Sequence, residues 1–196
     1  MSSIVIKGNT SGQVEIAAPD VAGSTTLTLP TGTGTVITDT APKTGSVLQV
    51  VQTVKTDTFS ATTSTYVDVT GLSVSITPTN SSNKVLVLVD LNWGASALDL
   101  NTCRLLRGAT VIGAGDAAGS RGTGFAAMRT ASADNIVTNS ISFLDSPSTT
   151  SATTYKIQIK SGGTPNTVFV NRTSNDTNSF AFARVVSSIT VMEIAG

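Results

Sequence analysis

Histidine is absent from this chain, and cysteine occurs once, at Cys103. Without histidine there is no Ser-His or Cys-His nucleophile pair, and a zinc site has almost no ligands to draw on. A lone cysteine closes no internal disulfide, so Cys103 reads as a small buried side chain. Charge is scarce: 12% of the 196 residues are charged, twelve basic against twelve acidic, and the formal net charge is zero. That balance argues against a nucleic-acid partner held by phosphate neutralisation. Glutamate occurs only at Glu15 and Glu193, and no spacing of the aspartates sets up the carboxylate pair that acid-base hydrolysis of sugars needs. No apolar run approaches the roughly 18 residues of a membrane helix. The opening Met-Ser-Ser-Ile lacks a signal peptide's basic start and long apolar segment. These absences predict a non-enzymatic protein with no cofactor, no metal, no membrane insertion and no secretory route.

What is present is the composition of short strands joined by turns: 39% hydrophobic residues, with much of the remainder Thr, Ser, Gly, Asn and Ala. The longest strand-favouring run is KVLVLVDLNWG at 84–94, where Val85, Val87, Val89, Leu91 and Trp93 share one side of a two-residue period. Leu86 and Leu88 make the other side apolar until Asp90 and Asn92 take over. The pattern predicts a strand in the middle of a two-layer structure, paired on both edges and leaving the core at its Asp90 end. From residue 45 onward, turn signals separate about eight to ten strands at the spacing of a sandwich or jelly roll. Among them are 47–59, two strands on either side of a turn at Thr70-Gly71, a hairpin turning near Gly108, and TYKIQIK with Tyr155, Ile157 and Ile159 on one face. No amphipathic helix is evident.

Residues 1–42 read differently. Very short strands at 4–7, Val14 to Ile16, TLTLP at 26–30 and 36–37 are too brief to bury a face alone, so they need copies of themselves or another protein. Two later loops carry polar side chains suited to recognition on a rigid scaffold. The loop GAGDAAGSRGTG at 113–124 offers Asp116 and Arg121 but has neither a dinucleotide nor a Walker pattern. The loop NRTSNDTN at 171–178 offers Asn171, Arg172, Asn175 and Asp176 without the ordered spacing of a calcium loop. Solvated turns are the plain alternative for both. Arg104, Arg107, Arg121 and Arg129 cluster in sequence and could meet acidic sugars, although interspersed aspartates favour paired surface charge.

The run SGQVEIAAPDVAGSTTLTLPTGTGTV at 11–36 contains Ala18-Pro19, Ala22-Gly23, TLTLP and Gly34-Thr35-Val36. It resembles a segment of tail-fibre and related virion proteins of tailed bacteriophages, including marine and cyanobacterial phages. GSVLQVVQ from Gly45, VTGLSVSITP from Val69, the strand from Lys84 and SSITVMEI from Ser187 are similar to the globular part of such proteins. The resemblance implies a homotrimeric β-rich fibre whose N-terminal part attaches to other virion proteins of tail, baseplate or capsid, or forms a short shaft. It also implies a jelly-roll-like knob.

The expectation is thus an all-β chain with a virion-attachment arm at 1–42 and a β-sandwich knob at 43–196, made in the bacterial host cytoplasm and residing in the virion. Val14, Ile16, Leu27, Leu29 and Pro30 are the expected packed positions of the arm. Asp116, Arg121, Asn171, Arg172, Asn175 and Asp176 are the candidate receptor-facing residues, for a host-surface glycan or protein. The alternatives are a head fibre or capsid decoration protein, a lectin-like module, and a polysaccharide depolymerase.

Overall fold

The computed structural model describes residues 3–7, 13–17, 42–130, 132, 134–162 and 166–196. The expected strands at 26–30 and 36–37, with Leu27, Leu29 and Pro30, lie outside the described residues. The chain divides into two compact units, Met1–Ile37 and Thr38–Gly196. Among the described residues every regular element is a strand.

In the first unit, β1 (Ser3–Lys7) and β2 (Gln13–Ala17) form an antiparallel hairpin whose register pairs Ile4 with Ile16 and Ile6 with Val14. Val5, Lys7 and Glu15 are exposed. An isolated two-stranded hairpin of this length is marginal in water at best.

The second unit is two antiparallel sheets packed over one core. In the first sheet, β6 (Lys84–Ala95) pairs along one edge with β10 (Val137–Asp145). Its other edge is shared: β13 (Ser187–Ile194) covers residues 84–90 and β12 (Thr167–Val170) covers 93–95. β3 (Val47–Lys55) lies outside β13, and β4 (Phe59–Thr62) lies outside β12. The sheet therefore has four rows, two of them interrupted. In the second sheet β5 (Val67–Ile76), β11 (Thr153–Lys160) and β7 (Asn101–Arg107) are adjacent rows. β8 (Thr110–Gly113) and β9 (Ala126–Met128) share the outer edge of β7. With the eight rows numbered along the chain, the first sheet runs 1-8-3-6 and the second 2-7-4-5.

The two-residue period explains the core. Val85, Val87, Val89, Leu91, Trp93 and Ala95 of β6 face Val69, Leu72, Val74 and Ile76 of β5, Cys103 and Leu105 of β7, and Tyr155, Ile157 and Ile159 of β11. Burying each of the larger side chains contributes roughly 1.5–3 kcal/mol. Trp93 is fully buried, and its indole N–H donates to Asn139 Oδ1 at 2.7 Å. Cys103 is buried as expected, and burial pushes its thiol up to about 11.

Three expectations are corrected. β6 does not leave the core at Asp90, because Leu91, Trp93 and Ala95 remain buried; Asp90 and Asn92 only mark the outer face. Thr70-Gly71 is not a turn between two strands. β5 runs through it, with Lys156 opposite Ser73 and Gln158 opposite Asp68, so that residues 69–72 form a bulge opposite Ile157 that still keeps Val69 and Leu72 in the core. Gly71 takes φ +81° there, a conformation glycine accepts without strain. The run 47–59 is broken at 56–58, and β4 extends to Thr62. Phe180 belongs to no strand and stands wholly exposed, within the excursion 171–186 that separates β12 from β13.

Candidate functional site

The two candidate loops have different physical characters. In the 113–124 loop Asp116 and Arg121 are both exposed, and Arg121 Nη1 donates only to Ala118 O at 3.3 Å. The two ends of the loop, with Ile112, Phe125 and Phe143, line a shallow, open depression of about 340 Å³, the two rings meeting edge to face with centroids 6.0 Å apart. Phe125 stacks so closely on Gly113 that a Cβ there would overlap the ring.

In the second loop, by contrast, the side chains bond the protein to itself. Asn171 is fully buried with φ +64°. Its Nδ2 donates to Lys55 O at 2.8 Å and Asp57 O at 2.9 Å, and its Oδ1 accepts from Ser187 Oγ at 2.6 Å. One side chain thereby ties together the two interrupted rows of the first sheet, so Asn171 faces no receptor. Arg172 lies over the Phe169 ring at 4.0 Å and donates to the carbonyls of Thr173 and Ser174. Asn175 Oδ1 accepts from Thr177 N and Oγ1, and Asp176 receives a forked pair of bonds from Arg184 at 2.8 and 2.6 Å. Of the arm positions, Val14 and Ile16 lie in β2.

No family model matches this chain, and no curated protein matches it. Its chemistry is therefore read from its own geometry. Among the described residues no three His, Cys, Asp or Glu side chains gather as metal ligands would.

The informative surfaces are the outer faces of the two sheets. On the first, register places Leu144 of β10, Leu86 of β6, Met192 of β13 and Val50 of β3 side by side across all four rows. Val50 and Leu144 are about half exposed, and Val47, Val54 and Val186 extend the apolar area. On the second face, Lys156, Gln158 and Lys160 of β11 project outward beside Arg104 of β7 and Asp68 of β5. Lys156 Nζ meets Asp68 Oδ2 at 2.8 Å, and Gln158 bridges Asp68 and Arg104. The Lys156 bond, followed by that from Gln158, holds the Asp68 carboxyl below its usual range against the opposing effect of partial burial.

Three charged side chains of the first sheet point inward instead. Asp145 bonds Arg107 Nη1 through both oxygens at 2.9 Å and accepts the Tyr155 hydroxyl at 2.7 Å, joining the two sheets. Burial, reinforced by this carboxylate, pushes the Tyr155 hydroxyl far up. Lys55 reaches Asp57 at 2.8 Å. Glu193 accepts from Gln49, Asn83 and both the amide and hydroxyl of Thr79, at 2.6–2.8 Å, and has no cation among these partners. Burial would raise its pKa; the bonds from Asn83, Gln49 and Thr79 outweigh that and hold it below the ordinary value.

Sequence reasoning missed both outer faces. The alternation was visible in each strand, but which strands are neighbours was not.

Proposed function

We propose that this chain is a phage virion structural protein, a homotrimeric tail fibre or fibre tip that contributes to host attachment and carries out no catalysis. Residues 1–42 are the arm that joins other virion proteins of tail, baseplate or capsid, and the second unit is a jelly-roll-like knob. The 1-8-3-6 and 2-7-4-5 row orders support the jelly-roll reading, since that fold is two four-row antiparallel sheets recurring in viral coat and lectin domains. The five-residue strands of the arm, too short to be stable alone, support its dependence on a partner.

The observation that carries the oligomer is the apolar band Leu144–Leu86–Met192–Val50 across the first sheet. Four rows about 4.8 Å apart and some eight residues long, at about 3.4 Å each, present roughly 500 Å² of face. Three such faces turned toward one axis bury on the order of 1,500 Å² in all, about 500 Å² for each pair of subunits, a small contact that acts through its threefold repetition. Three knobs around one axis would cover this face and leave the charged faces outward, where three weak contacts with host surface act together.

The test is light scattering on a sizing column, applied to the full chain and to the Val50→Lys/Leu144→Lys double variant. A trimer that becomes a folded monomer on substitution supports the reading. A monomeric wild-type chain removes the fibre's physical basis. For the arm, Leu27→Ser/Leu29→Ser should abolish incorporation into virions while leaving the knob folded, and normal incorporation would reject the attachment role. A head fibre or capsid decoration protein is the second reading, because an apolar sheet face is equally suited to lying on a shell; labelled-virion imaging separates the two.

A further inference from the structure

One sheet face carries a local excess of positive charge on a chain whose formal net charge is zero. Among the described residues of its strands, the outer face of the second sheet presents Arg104, Lys156 and Lys160 against one carboxylate, Asp68, while the chain as a whole carries twelve charges of each sign. These cations are held in place. The Arg104 guanidinium lies 4.0 Å from the centroid of the Tyr66 ring and Lys160 Nζ lies 5.0 Å from the same centroid. The ring is fixed in turn, since its hydroxyl bonds Thr102 Oγ1 at 2.9 Å and the Thr123 carbonyl. Arg104 Nε donates to Gln158 Oε1 at 2.8 Å. Among the described residues, Nη1 and Nη2 of Arg104 and the Lys160 ammonium have no carboxylate partner, because Asp68 is engaged by Lys156 and Gln158. Two like charges beside one ring repel each other, and a shared anion relieves that repulsion.

We infer that this face is a binding site for acidic glycans, in which Arg104 and Lys160 together hold a sugar carboxylate, phosphate or sulfate. Arg104 offers the two free guanidinium amino groups that a planar or tetrahedral oxyanion takes as a fork. Alongside, β5 and β11 present Ser73, Ser75 and Thr154 on the same exposed face, with Ser75 Oγ 2.7 Å from Thr154 Oγ1, a row of hydroxyls suited to neighbouring sugar hydroxyls. The surface is the flat back of a sheet, so the ligand lies along it rather than entering a cavity. Three cations are too few for a nucleic acid, whose affinity rests on many simultaneous phosphate contacts. The inference rests on the host-attachment reading for its biological role, and on this face alone for the binding.

The experiment uses the full chain and a matched pair of probes, polygalacturonate and its neutral methyl ester, in calorimetric titration at low and physiological salt. Dextran sulfate, a phosphorylated mannan and a short DNA duplex complete the set. Binding to polygalacturonate or another anionic glycan that falls with salt and is absent for the methyl ester supports the site. Arg104→Gln and Lys160→Gln should each weaken it at least tenfold, whereas Lys84→Gln, at an exposed cation of the first sheet, should leave it unchanged. Lys160→Gln keeps the Arg104–Gln158 bond, so its effect is not one of misfolding; an unchanged unfolding midpoint confirms that. Equal binding of the ester, no binding of any anionic glycan, tighter binding of DNA than of every glycan, or a loss in Lys84→Gln matching that in Arg104→Gln would each overturn the site. Virions carrying Lys160→Gln that lose glycan binding yet adsorb to cells normally would leave the site standing and reject the attachment role.

Discussion

The two sheets of the second unit solve the same packing problem with opposite distributions of charge. The first sheet turns Lys55, Asp145 and Glu193 inward and sets Leu144, Leu86, Met192 and Val50 on its outer face. The second keeps Asp68, Arg104, Lys156 and Lys160 on its outer face and, apart from Arg107, which meets Asp145 at its edge, fills its inner face with Ile157, Ile159, Leu105 and Val74. The second arrangement is what solvent favours on both sides of a sheet. The first is costly on both counts, since burying a charge needs a full set of partners and exposing a row of apolar side chains forfeits their burial. That contrast is the physical basis for the proposal that one face meets a second subunit and the other a ligand.

The largest expected effect comes from removing a buried charge. Asp145→Ala leaves Arg107 and the Tyr155 hydroxyl without their shared acceptor across the two sheets, and should cost about 3 kcal/mol in denaturant unfolding. Arg104→Ala on the other sheet's outer face should stay within about 1 kcal/mol. Comparable losses in both variants would erase the distinction between the sheets.

Glu193→Gln comes next. The amide presents a donor where Asn83, Gln49 and Thr79 already donate, so about 1–3 kcal/mol of stability is lost at neutral pH. The pH dependence sharpens this. Because the folded carboxyl is held below its ordinary value of 4.5, its contribution is present above that pH and is lost as pH falls through the folded pKa. The gap between wild type and Glu193→Gln should therefore close in acid. A gap that persists unchanged at the lowest pH where both remain folded would show that the bonds, and not the charge, account for the loss.

How much of this contrast could be read from the sequence follows from what alternation does and does not encode. The alternation of Tyr155, Ile157 and Ile159 with Lys156, Gln158 and Lys160 is visible in six consecutive residues, and β11 has that inner and outer face. The central place of β6, paired on both edges, followed from its apolar odd positions. Contacts set by distant residues were hidden. Asn171 looked like a polar loop residue because its partners, Lys55 O, Asp57 O and Ser187 Oγ, come from other elements. Arg104 was grouped with the arginines nearest in sequence, yet it meets Tyr66 and Lys160 through sheet order. Thr70-Gly71 carried a true signal for a positive φ, which a bulge satisfies as well as a turn does.

Val50→Lys/Leu144→Lys should separate association from stability. Both side chains are about half exposed on the first sheet, so the isolated fold should change by less than about 1 kcal/mol. The charges would repel a facing copy and should shift the chain to monomer on a sizing column. A monomer that also melts much earlier would indicate that these residues support the sheet itself.

Asp68→Asn is the smallest perturbation and addresses the charged face directly. Asp68 is about half exposed and bonds Lys156 and Gln158, so stability should fall by no more than about 0.5 kcal/mol. Its folded pKa is depressed, hence even this small contribution belongs to pH above its ordinary value of 3.8 and vanishes in acid. Anion binding should move the other way. Removing one negative charge about 7 Å from a bound anion in a water-like dielectric is worth about 0.6 kcal/mol, so polygalacturonate should bind roughly threefold tighter. Weaker binding would mean that Asp68 acts by positioning Gln158, and through it Arg104, so that geometry rather than summed charge governs the face.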